Sequence, residues 1–219
     1  MADAPFPWRM RLRGLTVATI HTVPVAAARR WIPVRFPILR IGPGRTLGGL
    51  FLADYGPGST LEYRELVAAC GVVWHDRRPW AWVSHVFVDD AESRERGRND
   101  LGVPKELARF IDEGDGRVRI LDDDEPIATL APGRPFFLWR QRLRFGVMHR
   151  HAAMPGLLAL YGNELHGRIG ILPAPTVEVP PGSPLRSLEL GAPLLGICGE
   201  DLEGVLGGAP FLPFRTLAG

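Results

Sequence analysis

Glycine and proline interrupt this 219-residue chain at short intervals, 26 of the first and 21 of the second, from one end to the other. Proline removes a backbone donor and breaks helix interiors, and glycine supplies the turns. A chain punctuated this evenly cannot be built from long helices, and the spacing predicts many short strands joined by turns. The composition supports a folded core: 46% of residues are hydrophobic and 23% charged, which excludes disorder, fibres and collagen.

The run Leu15 to Thr22 reads as a strand, and Val25 to Trp31 as a short helix stopped by Pro33. Phe36–Ile41, Leu47–Tyr55, Leu61–Trp74 and the segment from Trp80 to Asp89 follow as strands between glycine and proline boundaries. In the last of these, Trp80, Trp82 and Ser84 fall on one face and Ala81, Val83 and His85 on the other, which predicts a strand covered on both sides. Asp89 to Asp100 is charged and opens on an Asp-Asp cap signal, so it reads as a short helix or an exposed loop, and Leu107 to Phe110 adds a helical turn. Beyond Gly116 come strands up to Leu121, after the DDDEP turn, over Phe136–Val147, and at Leu157–Tyr161, Arg168–Leu172, Thr176–Val179 and Leu185–Leu190. Roughly ten strands with two or three short helices give an α+β, mainly antiparallel β fold, an antiparallel barrel or sandwich, in one domain over residues 1–219. A barrel interior can hold a small ligand.

The 26 basic residues are balanced by 24 acidic ones, for a net charge of +2, and no basic stripe tracks a phosphate backbone, so nucleic acid is not an expected partner. Arginine or proline breaks every apolar stretch before it reaches the ~20 residues of a membrane helix. Met1 to Trp8 lacks a basic region followed by an apolar one, so no secretory signal is visible and the cytoplasm is the expected compartment. Cys70 and Cys198 stand far apart in apolar runs and read as buried thiols. His149 and His151 have strand-face spacing without further ligands, so no zinc site is expected. Neither GxSxG nor a glycine-rich phosphate loop occurs, and Ser84 beside His85 lacks a nucleophile elbow. Arg140, Arg142 and Arg144 read as a solvated or interface strand face.

One feature of the composition carries chemistry. Of the 26 basic residues, 25 are arginine and Lys105 alone is lysine. A guanidinium stays protonated and cannot act as an amine nucleophile. Among side chains, that role is open only to Lys105.

The stretch from Gly97 to Leu107, GRNDLGVPKEL, read with Tyr63-Arg64-Glu65-Leu66 forty residues before the lysine, resembles the acetoacetate decarboxylase family. That family carries its Schiff-base lysine in a G-R-E-x-x-x-x-P-K-K stretch and an active-site glutamate in an upstream Y-x-E; Lys105 and Glu65 fall on those positions. The opening is similar too, with Pro7-Trp8, Arg13-Gly14 before a strand, and a W-I-P ending at Pro33. The resemblance covers about the first half of the chain and departs from the pattern at Asn99 and Glu106, which replace a glutamate and a second lysine. It implies a barrel or cone of strands, a homo-oligomer, a small oxo-acid or related carbonyl substrate, and a carbon–carbon lyase working without metal or organic cofactor. Activation of such a lysine by desolvation or a neighbouring cation is the known example of this family.

A lysine with its ordinary pKa of ~10.4 is neutral about once in 2,500 at pH 7, so an amine nucleophile has to lose that preference for its proton, and burial against apolar walls can supply the change. Glu106 cannot serve as the adjacent cation, and in extended structure it faces away from Lys105. The resulting iminium stabilises electrons released beside it by loss of carbon dioxide, deprotonation or carbon–carbon cleavage. Decarboxylation is therefore one expected reaction, and an aldolase, dehydratase or cyclase step is another; a non-catalytic barrel that binds a small ligand is the alternative of a different class. Glu65 is the expected proton-transfer group, Arg13 the expected carboxylate clamp, and Tyr63 and Arg98 the further substrate contacts, while Tyr55 is expected to pack.

Overall fold

The computed structural model describes residues 9–114, 116–154, 156–207 and 211–213. In chain order these form β1 (Arg9–Pro24), α1 (Val25–Arg29), β2 (Arg45–Tyr55), β3 (Tyr63–His75), β4 (Arg78–Val88), α2 (Ala91–Asn99), β5 (Lys105–Leu107) and β6 (Arg109–Asp112). There follow β7 (Val118–Asp122), β8 (Glu125–Ala131), β9 (Leu138–Arg150), β10 (Leu157–Leu172), β11 (Thr176–Glu178), a 3-10 turn at Pro184–Leu188, β12 (Pro193–Gly207) and β13 (Phe211–Pro213).

Seven strands close into a barrel in the order β12-β1-β2-β3-β4-β9-β10, with β10 returning to β12. Neighbours are antiparallel except at one seam, where β4 and β9 run parallel and share only Ala81↔Val147 and Trp82↔Met148. Farther along the same edge of β4, β5 takes over, pairing Val86↔Lys105 and Val88↔Leu107 in parallel. A second sheet, β11-β8-β7-β6, covers part of the barrel's outside.

Alternation along the strands divides the apolar residues between two cores. Outward-facing Leu50, Leu66, Ala68, Trp80 and Trp82 pack with Phe110, Ile120, Ile127 and Leu130 of the second sheet. Inward-facing Phe51, Val67, Val83, Val86, Phe145, Val147, Leu165 and Ile169 form the inner cluster. The two-sided burial expected of the Trp80–Asp89 segment follows from this arrangement, but His85 does not share the face of Ala81 and Val83: an irregularity in the β3–β4 register turns it outward against Trp31, with ring centroids 4.5 Å apart, and Val86 lines the lumen instead. Arg64 on β3 ties the second sheet to the wall through Asp89 at 3.0 Å, Asp112 at 3.2 Å and the Phe110 carbonyl at 2.6 Å. Cys70 and Cys198 are free and buried, and burial pushes the Cys70 thiol up to about 12.

Four of the expected segments take another form, and the barrel strand β12, Pro193–Gly207, is not among the expected strands at all. Phe36–Ile41 is a loop with a single bridge, Ile38↔Val73, because Pro37 has no N–H to give a ladder. Leu107–Phe110 is not helical: the Ala108 N–H donates to the Val88 carbonyl at 2.8 Å, holding the chain extended from β5 into β6. Leu185–Leu190 is not a strand: the 3-10 turn Pro184–Leu188 occupies most of it, started by Ser183, whose side chain accepts from the Leu185 N–H at 3.1 Å. The two strands expected at 157–161 and 168–172 are one sixteen-residue strand, β10. Its glycines do not end it, since Gly167 is absorbed at a register shift against β12. The charged segment after Asp89 is the helix α2, capped by Asp90, whose carboxylate accepts from the Ser93 N–H at 2.6 Å.

Candidate active site

The lumen holds a cavity of about 430 Å³. Its walls are almost wholly apolar, with Ile20, Phe51, Val67, Val83, Phe145, Val147, Ile169 and Ile197 among its lining residues. Lys105, Glu65, Tyr55 and Tyr63 stand together at one end.

The chain brings Lys105 there in three steps. Helix α2 follows β4 and turns the chain back; Val103 donates to the Gly97 carbonyl at 2.8 Å, and β5 then lies along β4 with Lys105 opposite Val86. The alkyl stem of Lys105 crosses α2 at Gly97, where an added Cβ would lie 2.5 Å from Lys105 Cδ. No other residue leaves room for the stem, which gives the glycine of the GRN motif its physical meaning.

At its tip, Lys105 Nζ lies 2.9 Å from Glu65 Oε2, 3.0 Å from the Tyr63 hydroxyl and 2.9 Å from Ser93 Oγ. These three partners match the three hydrogens of an ammonium. Nζ also sits 4.6 Å from the centroid of the Tyr63 ring. Lys105 and Glu65 are both buried, 6% and 7% exposed. Tyr55 donates to Glu65 Oε1 and Tyr63 to Oε2, each at 3.2 Å. Burial and the adjacent Glu65 charge hold both tyrosine pKa values well above the ordinary phenol value, so both remain phenols able to donate. The surroundings of the amine are therefore more than apolar walls: a carboxylate meets it directly.

The structure thus gathers Lys105, Glu65 and Tyr63, and adds two groups. Tyr55, expected only to pack, holds Glu65. Ser93 was not singled out, because nothing in its charged helical segment marks one residue as facing inward; its i+3 position from the Asp90 cap is the signal that could have done so.

Arg13 and Arg98 stand elsewhere. Arg13 pairs with Glu203 at 2.8 Å, with 56% of its side chain exposed, and it is not among the residues lining the cavity. The reason is alternation: Gly14 and Arg13 point to opposite sides of β1, and Arg13 takes the outer one. Arg98 does not line the cavity either. It donates to the Lys105 carbonyl at 3.0 Å and to Glu106 at 2.5 Å, so it holds the backbone of β5. Glu106 faces outward to Arg98 and Arg94, as alternation requires. Pro7-Trp8 lie outside the described residues.

His149 also lines the cavity, stacked on Tyr161 with ring centroids 5.5 Å apart. Burial lowers its pKa to about 4. Its Nδ1 lies 2.9 Å from the Arg150 carbonyl, while Nδ1 of His151 accepts from the Ala153 and Met154 N–H groups. Arg142 and Arg144 lie outside the barrel and share Glu164 at 2.6 and 2.7 Å.

Among known proteins, the chain is 38% identical over 104 residues to Protein NEOXANTHIN-DEFICIENT 1 of Arabidopsis thaliana, a match spanning 48% of this chain and 36% of that protein. The chain thus spans about a third of the length of the curated plant relatives it matches. The solved structure of the enduracididine biosynthesis enzyme MppR, complexed with the condensation product of pyruvate and imidazole 4-carboxaldehyde, superposes with a TM-score of 0.65 at 17% identity, covering 97% of this chain and 92% of that one. Acetoacetate decarboxylase from Legionella pneumophila does so with a TM-score of 0.67 at 15% identity, over 96% and 92% of the two chains. At such identities these structures speak for the fold. The sequence itself matches the family profile described as Acetoacetate decarboxylase (ADC) over residues 2–129, more than half of its length and including both Glu65 and Lys105; the chain belongs to the acetoacetate decarboxylase family.

Proposed function

We propose that this protein is an enzyme whose Lys105 amine forms an iminium with a carbonyl substrate, and that Glu65 moves the protons. The observation that carries this reading is the contact of buried Lys105 Nζ with Glu65 at 2.9 Å, at the end of an apolar cavity.

Glu65 takes a proton from the Lys105 ammonium, and the freed amine attacks the carbonyl carbon. The carbinolamine oxygen takes up protons relayed through Glu65 and Tyr63 and leaves as water, and the nitrogen becomes the iminium. Tyr55 and Tyr63, each 3.2 Å from the Glu65 carboxylate, orient it. In the apolar lumen the positive nitrogen is weakly screened, so it stabilises an electron pair arriving from the adjacent carbon. Decarboxylation, aldol cleavage or condensation, and dehydration all share this intermediate, and the chain acts as a carbon–carbon lyase or a close variant. The plant relatives' name refers to a neoxanthin deficiency and assigns no reaction.

Borohydride reduction tests the proposal with a short uncharged aldehyde such as propanal. The only competing amine of the chain is the α-amine, whose ordinary pKa of ~7.7–8.0 makes it the faster site against an unactivated lysine. Modification of Lys105 at least tenfold ahead of the α-amine is the expected result. Reaction at the α-amine first, with Lys105 unmodified, overturns the reading and favours a non-catalytic ligand-binding barrel.

A further inference from the structure

We infer that the carbonyl compound taken by Lys105 has an extended apolar body and no carboxylate, entering through the barrel mouth opposite the lysine. This inference rests on the iminium reading and names its substrate class.

Charge is the first argument. Among the described residues no arginine lines the cavity, and the only lysine is Lys105 itself. The one further charged lining group is Glu65, whose carboxylate is already paired with that lysine. A substrate carboxylate brought there would set two negative groups against a single positive nitrogen. Burying an unmatched charge in apolar surroundings is strongly unfavourable. The guanidinium expected to clamp it, Arg13, is turned outward to Glu203. A small oxo-acid is therefore a poor fit, contrary to the sequence expectation.

Size is the second. The 430 Å³ cavity falls in the ~300–1,000 Å³ range of sites that bury drug-sized molecules, more room than pyruvate or acetoacetate fills. A short acid would leave most of the Phe51, Val67, Phe145, Val147 and Ile169 surface uncovered. An apolar chain would bury it, and the gain grows with the apolar area removed from water.

The mouth is the third, and it is independent of the lysine end. Trp139 pairs with Ile169, Ile171 with Ile197, and Leu195 with Ile20. Cross-strand partners share a face, and Ile169, Ile197 and Ile20 all line the cavity. Trp139, Ile171 and Leu195 therefore continue the inner face, yet they are 42%, 41% and 36% exposed. Along these three strands the lumen thus ends in an apolar lip, which guides an apolar molecule inward.

The test is borohydride trapping with decanal, pyruvate and acetoacetate at equal concentration, mapped on Lys105, beside displacement of a fluorescent naphthalene probe by the non-reactive alcohol 1-undecanol. Trapping of decanal at least tenfold above both acids is expected, and Trp139→Glu at the exposed lip should reduce it at least fivefold. Equal or preferential trapping of either acid overturns the apolar class while leaving the iminium in place. Undecanol binding without any Lys105 adduct overturns the iminium and supports the apolar lumen. Neither binding nor adduct overturns both.

Discussion

The stem of Lys105 lies against the Cα of Gly97, so closely that the smallest added side chain would press on Lys105 Cδ at 2.5 Å. Helix α2 and the lysine are therefore fitted to one another as a pair. Gly97→Ala should raise the intrinsic helix propensity of α2 by up to ~1 kcal/mol and still damage the site, because Nζ cannot keep Glu65, Tyr63 and Ser93 once its stem is pushed aside. The expected outcome is a Tm within a few degrees of the parent and a loss of at least tenfold in the rate of borohydride-trapped adduct on Lys105, measured by mass spectrometry.

Glu65→Gln keeps the shape of the side chain and removes its charge and proton affinity. Iminium formation should slow by about 10²- to 10⁴-fold, the usual range for a lost acid–base group. The pH dependence of trapping should change with it, since the amine then sheds its proton to solvent. Rate profiles of the parent and the variant from pH 6 to 10 provide the check.

Arg98 and Arg13 make a contrasting pair. Arg98→Ala removes a charged hydrogen bond to the Lys105 carbonyl and the link to Glu106, and should cost about 1–2 kcal/mol of stability, with trapping lowered severalfold and partly restored by Arg98→Lys. Arg13→Ala breaks an exposed pair of the kind worth at most ~1 kcal/mol, and should leave trapping at Lys105 unchanged. Urea denaturation and the adduct rate, measured on both variants, separate the two roles.

His85 and His149 each have a pKa lowered by burial to about 4, below the 6.5 of an unfolded imidazole. Between these values the unfolded chain binds the extra protons, so stability should fall as pH drops from about 6.5 towards 4 and level off below. His149 is the more deeply buried, and its share is on the order of 3 kcal/mol at most. Urea midpoints across that pH range should show the decline, and His149→Gln should flatten it.

Much of this architecture is legible in the sequence wherever local chemistry decides. Asp90 announces the start of α2, apolar residues on both faces of the segment from Trp80 to Asp89 announce a strand covered on both sides, and the solitary lysine with Glu65 forty residues before it announces the buried pair of the site. What is not legible depends on distant partners. Leu107–Phe110 carries a weak helical pattern that the Val88 carbonyl overrides from outside the segment. Gly167 resembles a strand end, yet β12 accommodates it as a register shift. Arg13 and Gly14 are adjacent in sequence, and only the closure of β1 between β2 and β12 decides that the guanidinium looks away from the lumen. Ser93 and Tyr55 reach the site through the packing of α2 and β2, which no local pattern encodes.

A ring of seven strands cannot alternate in direction all the way round: an odd circuit forces at least one like-directed pair of neighbours. Here the mismatch falls between β4 and β9, and the two stay zipped for only two residue pairs. Past that point the wall unzips, and β5 is threaded into the gap with Lys105 at its first position. Simple parity thus leaves the fold one unavoidable tear, and through it a side chain from beyond the circuit is delivered to the interior.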